Sequence, residues 1–130
     1  MSGFNGSTGV PTKQMEDAIA QSTAKVDKYD GYTTNIVQMW NQGFLSRGNA
    51  TVQYFDGAIY ISVTGITTKT STQDWIFKLK GAYCPQDGLY FKYHSGQTEK
   101  SCYVNTNGYL YLQGGLDTTS SVALSISFAV

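Results

Sequence analysis

Charge is scarce in this chain. Only 14% of its 130 residues are Asp, Glu, Lys or Arg, against about 25% in ordinary globular proteins. The nine basic residues balance the nine acidic ones, so the basic excess or stripe that a nucleic-acid binder needs is missing. Histidine is nearly absent: His94 stands alone, and no nucleophile-elbow motif surrounds a serine to complete a Ser-His-Asp constellation. The two cysteines, Cys84 and Cys102, lie 18 positions apart with no Cys-x-x-Cys spacing and no His-Glu cluster beside them, which argues against a zinc site. They read either as two free core thiols or as one bridge between neighbouring strands. No run of 18 apolar residues exists to span a membrane. The start, Met1-Ser2-Gly3-Phe4-Asn5, has neither the basic nor the apolar region of a signal peptide. A carboxylate pair for glycoside hydrolysis needs no sequence motif. However, the acids after Gly31, which are Asp56, Asp74, Asp87, Glu99 and Asp117, each fall near an expected turn or strand end, where local reasons account for them. These absences lead to the expectation of a non-enzyme without cofactor or metal.

What is present is 41% hydrophobic and 14% aromatic residues, enough for a single core that needs no disulfide or metal. The surface must then be built from Thr, Ser, Asn, Gln, Gly and Tyr. That composition suits proteins that act outside cells or within assemblies, and it matches the residues that dominate antibody paratopes.

Three segments differ in character. Residues 1–11 are Gly/Ser/Asn-rich and end at Val10-Pro11, the pattern of a flexible leader. Over 12–30 the spacing predicts a helical stalk. Thr12 can cap it, Glu16 and Asp17 sit in its first turn, and Met15, Ile19, Ser22, Val26 and Tyr29 form a heptad-spaced seam. At about 27 Å such a helix is too short to be stable alone. It is either packed on its own domain or the stump of a coiled coil that joins subunits. Asp30-Gly31 ends it, and 31–130 reads as a β head.

In that head, Val52–Phe55 and Ala58–Val63 flank Asp56-Gly57, the dipeptide that a type I′ hairpin prefers. Asn107-Gly108 marks a second hairpin. Trp75–Leu79, Leu89–His94 and Val122–Ala129 alternate apolar with polar residues. Short strands with no helices between them predict an all-β jelly-roll-like sandwich or small barrel. On the strands of 89–112, Leu89, Phe91, Cys102, Val104, Leu110 and Leu112 share one face. Tyr90, Lys92, His94, Tyr103, Asn105, Tyr109 and Tyr111 share the other. Four tyrosines on an outward face exceed scattered exposure. That face is either a subunit interface or a platform on which tyrosine rings cover the C–H faces of sugars. As a platform, its candidate ligand residues are Tyr90, His94, Tyr103, Asn105 and Tyr109. Of two competing aromatic anchors, Trp75 reads as core with Phe77 and Leu79. Trp40, beside Asn41 and Gln42 at the neck, is placed to reach a neighbouring subunit.

The order of parts resembles the head domains of phage receptor-binding and tail-fibre or baseplate proteins, of the type found in phages that infect Gram-positive bacteria. The pieces that carry the resemblance are Gly57-Ala58-Ile59-Tyr60-Ile61, the Ala82-Tyr83-Cys84-Pro85 turn, Asn107-Gly108-Tyr109-Leu110-Tyr111 and Ser125-Ile126-Ser127-Phe128-Ala129-Val130. The stalk departs from it, being shorter and more polar than a full fibre shaft. The resemblance implies a homotrimer with a jelly-roll-like head that binds host cell-wall polysaccharide. It further implies attachment to other virion proteins through the N-terminus, synthesis in the host cytoplasm and a place on the virion, with no nucleic acid and no membrane insertion. The alternative is a structural trimerisation knob without ligand, as in head fibres, capsid decoration or C1q- and exosporium-like proteins. A monomeric carbohydrate-binding module is a third class.

Overall fold

The computed structural model describes residues 25–29, 34–68, 74–114, 116 and 120–130. Nine strands lie among them: β1 Lys25–Lys28, β2 Val37–Trp40, β3 Leu45–Phe55, β4 Ala58–Thr67, β5 Trp75–Leu79, β6 Leu89–Ser95, β7 Thr98–Val104, β8 Tyr109–Leu112 and β9 Ser121–Ala129. All pairings are antiparallel, in the order β1-β3-β4-β9-β6-β7-β8-β5-β2. The sheet curls into a nearly closed all-β barrel or sandwich, as the alternation in the sequence predicts.

Alternation decides which side chains fill it. In β9, Val122, Leu124, Ile126 and Phe128 are buried while Ala123, Ser125, Ser127 and Ala129 are exposed. Ile59, Ile61 and Val63 of β4 meet Ala50 and Val52 of β3 in the same interior. Asp56 and Gly57 both take positive φ, 51° and 81°, as a type I′ turn requires. The Asn107-Gly108 hairpin closes differently. Only Gly108 has positive φ, at 89°. The Asn105 side-chain oxygen accepts from the backbone N–H groups of Asn107 and Tyr109, each at 3.0 Å. This is an Asx turn followed by a glycine bulge. Gly48 and Gly65 face each other across β3 and β4 with φ of 117° and 149°. A Cβ on either would run into the other strand's backbone, so the long hairpin bends at a point only glycine permits.

The two edge strands, β1 and β2, are joined by a side chain. Asp27 of β1 is fully buried. Its carboxylate accepts from the N–H of Asn35 at 3.1 Å and from those of Ile36 and Val37, each at 2.8 Å. Three edge donors are thereby satisfied by a charged acceptor. Tyr29 adds to the seam. Its hydroxyl accepts from the Gly43 N–H at 2.6 Å, and its ring packs edge-on against Trp40 and Phe44.

This arrangement differs from the stalk expected over 12–30. Residues 12–24 and 30, with Met15, Ile19 and Ser22 of the seam, lie outside the described residues, as does the leader over 1–11. Lys25–Lys28 is a strand, paired residue for residue with Thr51–Tyr54. Val26, expected in an apolar seam, is exposed, whereas Asp27 is buried. Helical spacing is a weak local preference. Here it is overridden by the open edge of β3 and by the buried N–H groups that need an acceptor.

Candidate functional site

The outward face of β6, β7, β8 and β5 carries a continuous aromatic ladder. Cross-strand register brings Tyr90 opposite Tyr103, Tyr103 opposite Tyr111, and Tyr111 opposite Trp75. The Tyr90 and Tyr103 rings are tilted with centroids 4.5 Å apart, and Tyr109 sits 6.1 Å from Tyr111 and 5.2 Å from Trp75. The Lys78 ammonium lies 5.7 Å from the centre of the Tyr109 ring, within cation–π range. Four adjacent strands at about 4.8 Å spacing make a ladder about 14 Å long.

A recess of about 180 Å³ opens beside Tyr90, Tyr103 and Tyr111, with Ser101 and Gln113 on its rim. Tyr90 is 77% exposed, unusual for a ring of this size. Ser101 accepts a hydrogen bond from the Lys92 ammonium at 3.1 Å, and the Gln113 side-chain oxygen accepts from the Ser101 N–H at 2.8 Å. Cys102 and Leu112 also line the recess; the Cys102 side chain belongs to the core, where burial pushes its thiol up to about 11 and keeps it protonated at neutral pH.

Of the five residues expected to bind ligand, Tyr90, Tyr103 and Tyr109 are brought together here. Asn105 sits beside Tyr109, bonded to its backbone, and only His94 is placed elsewhere on the same face. His94 is four residues along β6 from Tyr90, about 13 Å away, opposite Glu99 on one side and Ala123 on the other. The Asn105 oxygen is engaged in the turn, leaving only its amide N–H₂ for a ligand. Tyr103 has a second duty. Its ring lies over the Gly88 backbone, where a Cβ would collide with it, so it covers a glycine as well as offering a face.

Trp75 is a correction. Simple alternation puts it in the core with Phe77 and Leu79, yet it faces outward and is half-buried among tyrosines. The cause is a bulge between Trp75 and Lys78, where β5 spends three steps against two on β8. Ile76 and Phe77 both turn inward, and Trp75 and Lys78 both turn outward. Trp40 is the opposite correction. Rather than reaching a neighbour, it is 8% exposed, edge-on to Tyr29 and Phe77 and stacked at 6.3 Å with Phe44.

Both cysteines are free thiols: Cys102 is buried in β7 and Cys84 half-buried after the 3-10 turn Gly81–Tyr83. Among the described residues no three His, Cys, Asp or Glu side chains group closely enough to hold a metal. This face offers flat π-surfaces, phenol and hydroxyl groups, the side-chain amides of Asn105 and Gln113, and the ammonium groups of Lys78 and Lys92. The chain matches no protein-family model and no curated protein.

Proposed function

We propose that this protein is a non-enzymatic recognition head that binds a host cell-surface saccharide on the ladder formed by Tyr90, Tyr103, Tyr111, Tyr109 and Trp75. The single observation behind this reading is the outward-facing cross-strand run of rings, exposed at Tyr90 and half-buried at Tyr103, Tyr109, Tyr111 and Trp75, in a chain with little charge. Sugars present flat C–H faces and peripheral hydroxyls. A row of rings about 14 Å long with Ser101, Gln113 and Lys92 along its side offers partners for both. Such a shallow surface holds a single chain weakly. Clustered heads compensate through effective concentration, which is why the reading includes a jelly-roll-like head in a homotrimer, carried on a phage receptor-binding or tail-fibre particle.

Glycan-array screening of the whole chain, followed by titration with the best-binding fragment, tests this. Tyr90→Ala is the cleanest variant, because the ring is exposed and covers no glycine. It should weaken binding by about tenfold, or ~1–2 kcal/mol, with unfolding unchanged. An array without binding, or a Tyr90→Ala variant that binds as the parent does, would contradict the reading.

A further inference from the structure

The half of the sheet away from the ladder is unusual for what it omits. β4 and β9 contain no Asp, Glu, Lys or Arg, and β3 contains only Arg47, next to the glycine bend. Their outward positions form rows in register: Asn49-Thr64-Ala123, Thr51-Ser62-Ser125 and Gln53-Tyr60-Ser127. β1 extends the last row with Val26 and borders the middle one with Lys28. Val26, Phe55 and Tyr60 are three of the exposed large apolar side chains, with Tyr60 47% exposed. All three lie at one end of this face. The ladder half, by contrast, displays Lys78, Lys92 and Glu99. A sheet face that meets only water normally carries interspersed charge for solubility. A face that lacks charge and groups exposed apolar side chains at one end suits contact with another protein.

We infer that the outward face of β1, β3, β4 and β9 is the contact surface for a second copy of this chain. Three features favour a copy over an unrelated partner. With no charge in its centre, the face meets itself without like-charge repulsion, whereas a foreign partner is normally selected by complementary charge. Its side chains are Ser, Thr, Asn, Gln and Tyr, which both donate and accept hydrogen bonds, so identical rows can pair in either sense. It also holds both a knob and a hollow. Tyr60 stands beside a recess of about 210 Å³ lined by Thr51, Ser62, Ser125 and Ser127. Strands of this length at about 3.3 Å per residue and about 4.8 Å spacing give a face of about 500 Å². Two such faces bury about 1,000 Å², the size at which specific association begins.

This inference does not rest on the saccharide reading, because the ladder lies on the other half of the sheet. Saccharide binding can fail without overturning it. A monomeric chain would overturn it together with the homotrimer of the proposed function, while leaving binding at the ladder to be read separately.

The test is the oligomeric mass of the whole chain by sedimentation velocity and light scattering across a concentration series. The parent should run as an oligomer. Ser62→Glu with Ser125→Glu, which sets carboxylates opposite one another in the middle row, should dissociate it to a folded monomer. Tyr60→Ser, a milder change, should raise the dissociation constant at least tenfold while keeping the parent's circular dichroism. Lys92→Glu on the ladder half should leave the mass unchanged. A monomeric parent at high micromolar concentration overturns the inference. So does a folded Tyr60→Ser variant with the parent's dissociation constant, or dissociation caused by Lys92→Glu.

Discussion

Asp27 ties the two edge strands of the sheet together through three backbone N–H groups. A carboxylate removed from water is costly unless its lone pairs are filled, and here three backbone N–H groups fill them. Asp27→Ala strands those donors at the seam and should lower unfolding free energy by about 3 kcal/mol in urea titration. Asp27→Asn keeps one acceptor oxygen and should fall between the two. Nothing in the sequence marks this aspartate: it lies between Lys25-Val26 and Lys28-Tyr29 in a segment with helical spacing, and its role depends on donors eight to ten residues on. Titration adds a further expectation. Burial raises the Cys102 thiol to about 11, and burial also raises Cys84 and the Tyr93 phenol. Groups whose folded-state pKa is raised leave stability intact below their unfolded values and withdraw it as pH climbs. For Cys102 that decline runs from about 9 to 11. Cys102→Ser, with no thiol to ionise, should show a shallower fall across that interval in thermal melts against pH.

At the scale of elements, the hairpins and the alternating strands were legible and the irregularities were not. Asp56-Gly57 announces its turn because few dipeptides accept two positive φ angles. β9 announces its buried face because hydrophobic and small residues alternate without a break. The β5 bulge leaves no such mark: Trp-Ile-Phe-Lys-Leu reads as regular alternation, and only pairing with β8 shows the extra residue. For that reason the sequence shows an aromatic face three strands wide, without Trp75. β1 is hidden because Val26, within it, and Tyr29, just after it, also continue the heptad spacing of Met15, Ile19 and Ser22. The Gly48–Gly65 bend makes the element-scale prediction. Gly65→Ala sets a Cβ against the backbone of Arg47 and Gly48 at a φ of 149°. It should cost about 2–4 kcal/mol, read as a lower melting temperature. Gly57→Ala, with open space around it, should cost less.

At the scale of the whole molecule, a nearly closed sheet sealed by one carboxylate puts its rings on one half and its uncharged hydroxyl face on the other. Closure makes β1 part of the body of the fold. Deleting residues 1–29 should therefore destabilise the sheet far more than deleting residues 1–24, which spares β1, Asp27 and Tyr29. Denaturant midpoints of the two truncations compare them directly. Saccharide binding at the ladder is read directly by chemical-shift mapping of the ring signals during titration with cell-wall polysaccharide fragments. Saturable shifts are expected at Tyr90, Tyr103, Tyr111, Tyr109 and Trp75, abolished by Tyr90→Ala together with Trp75→Ala in a protein that remains folded. Saturable binding whose shifts fall on other residues, or no shifts with any fragment, would contradict saccharide binding at the ladder.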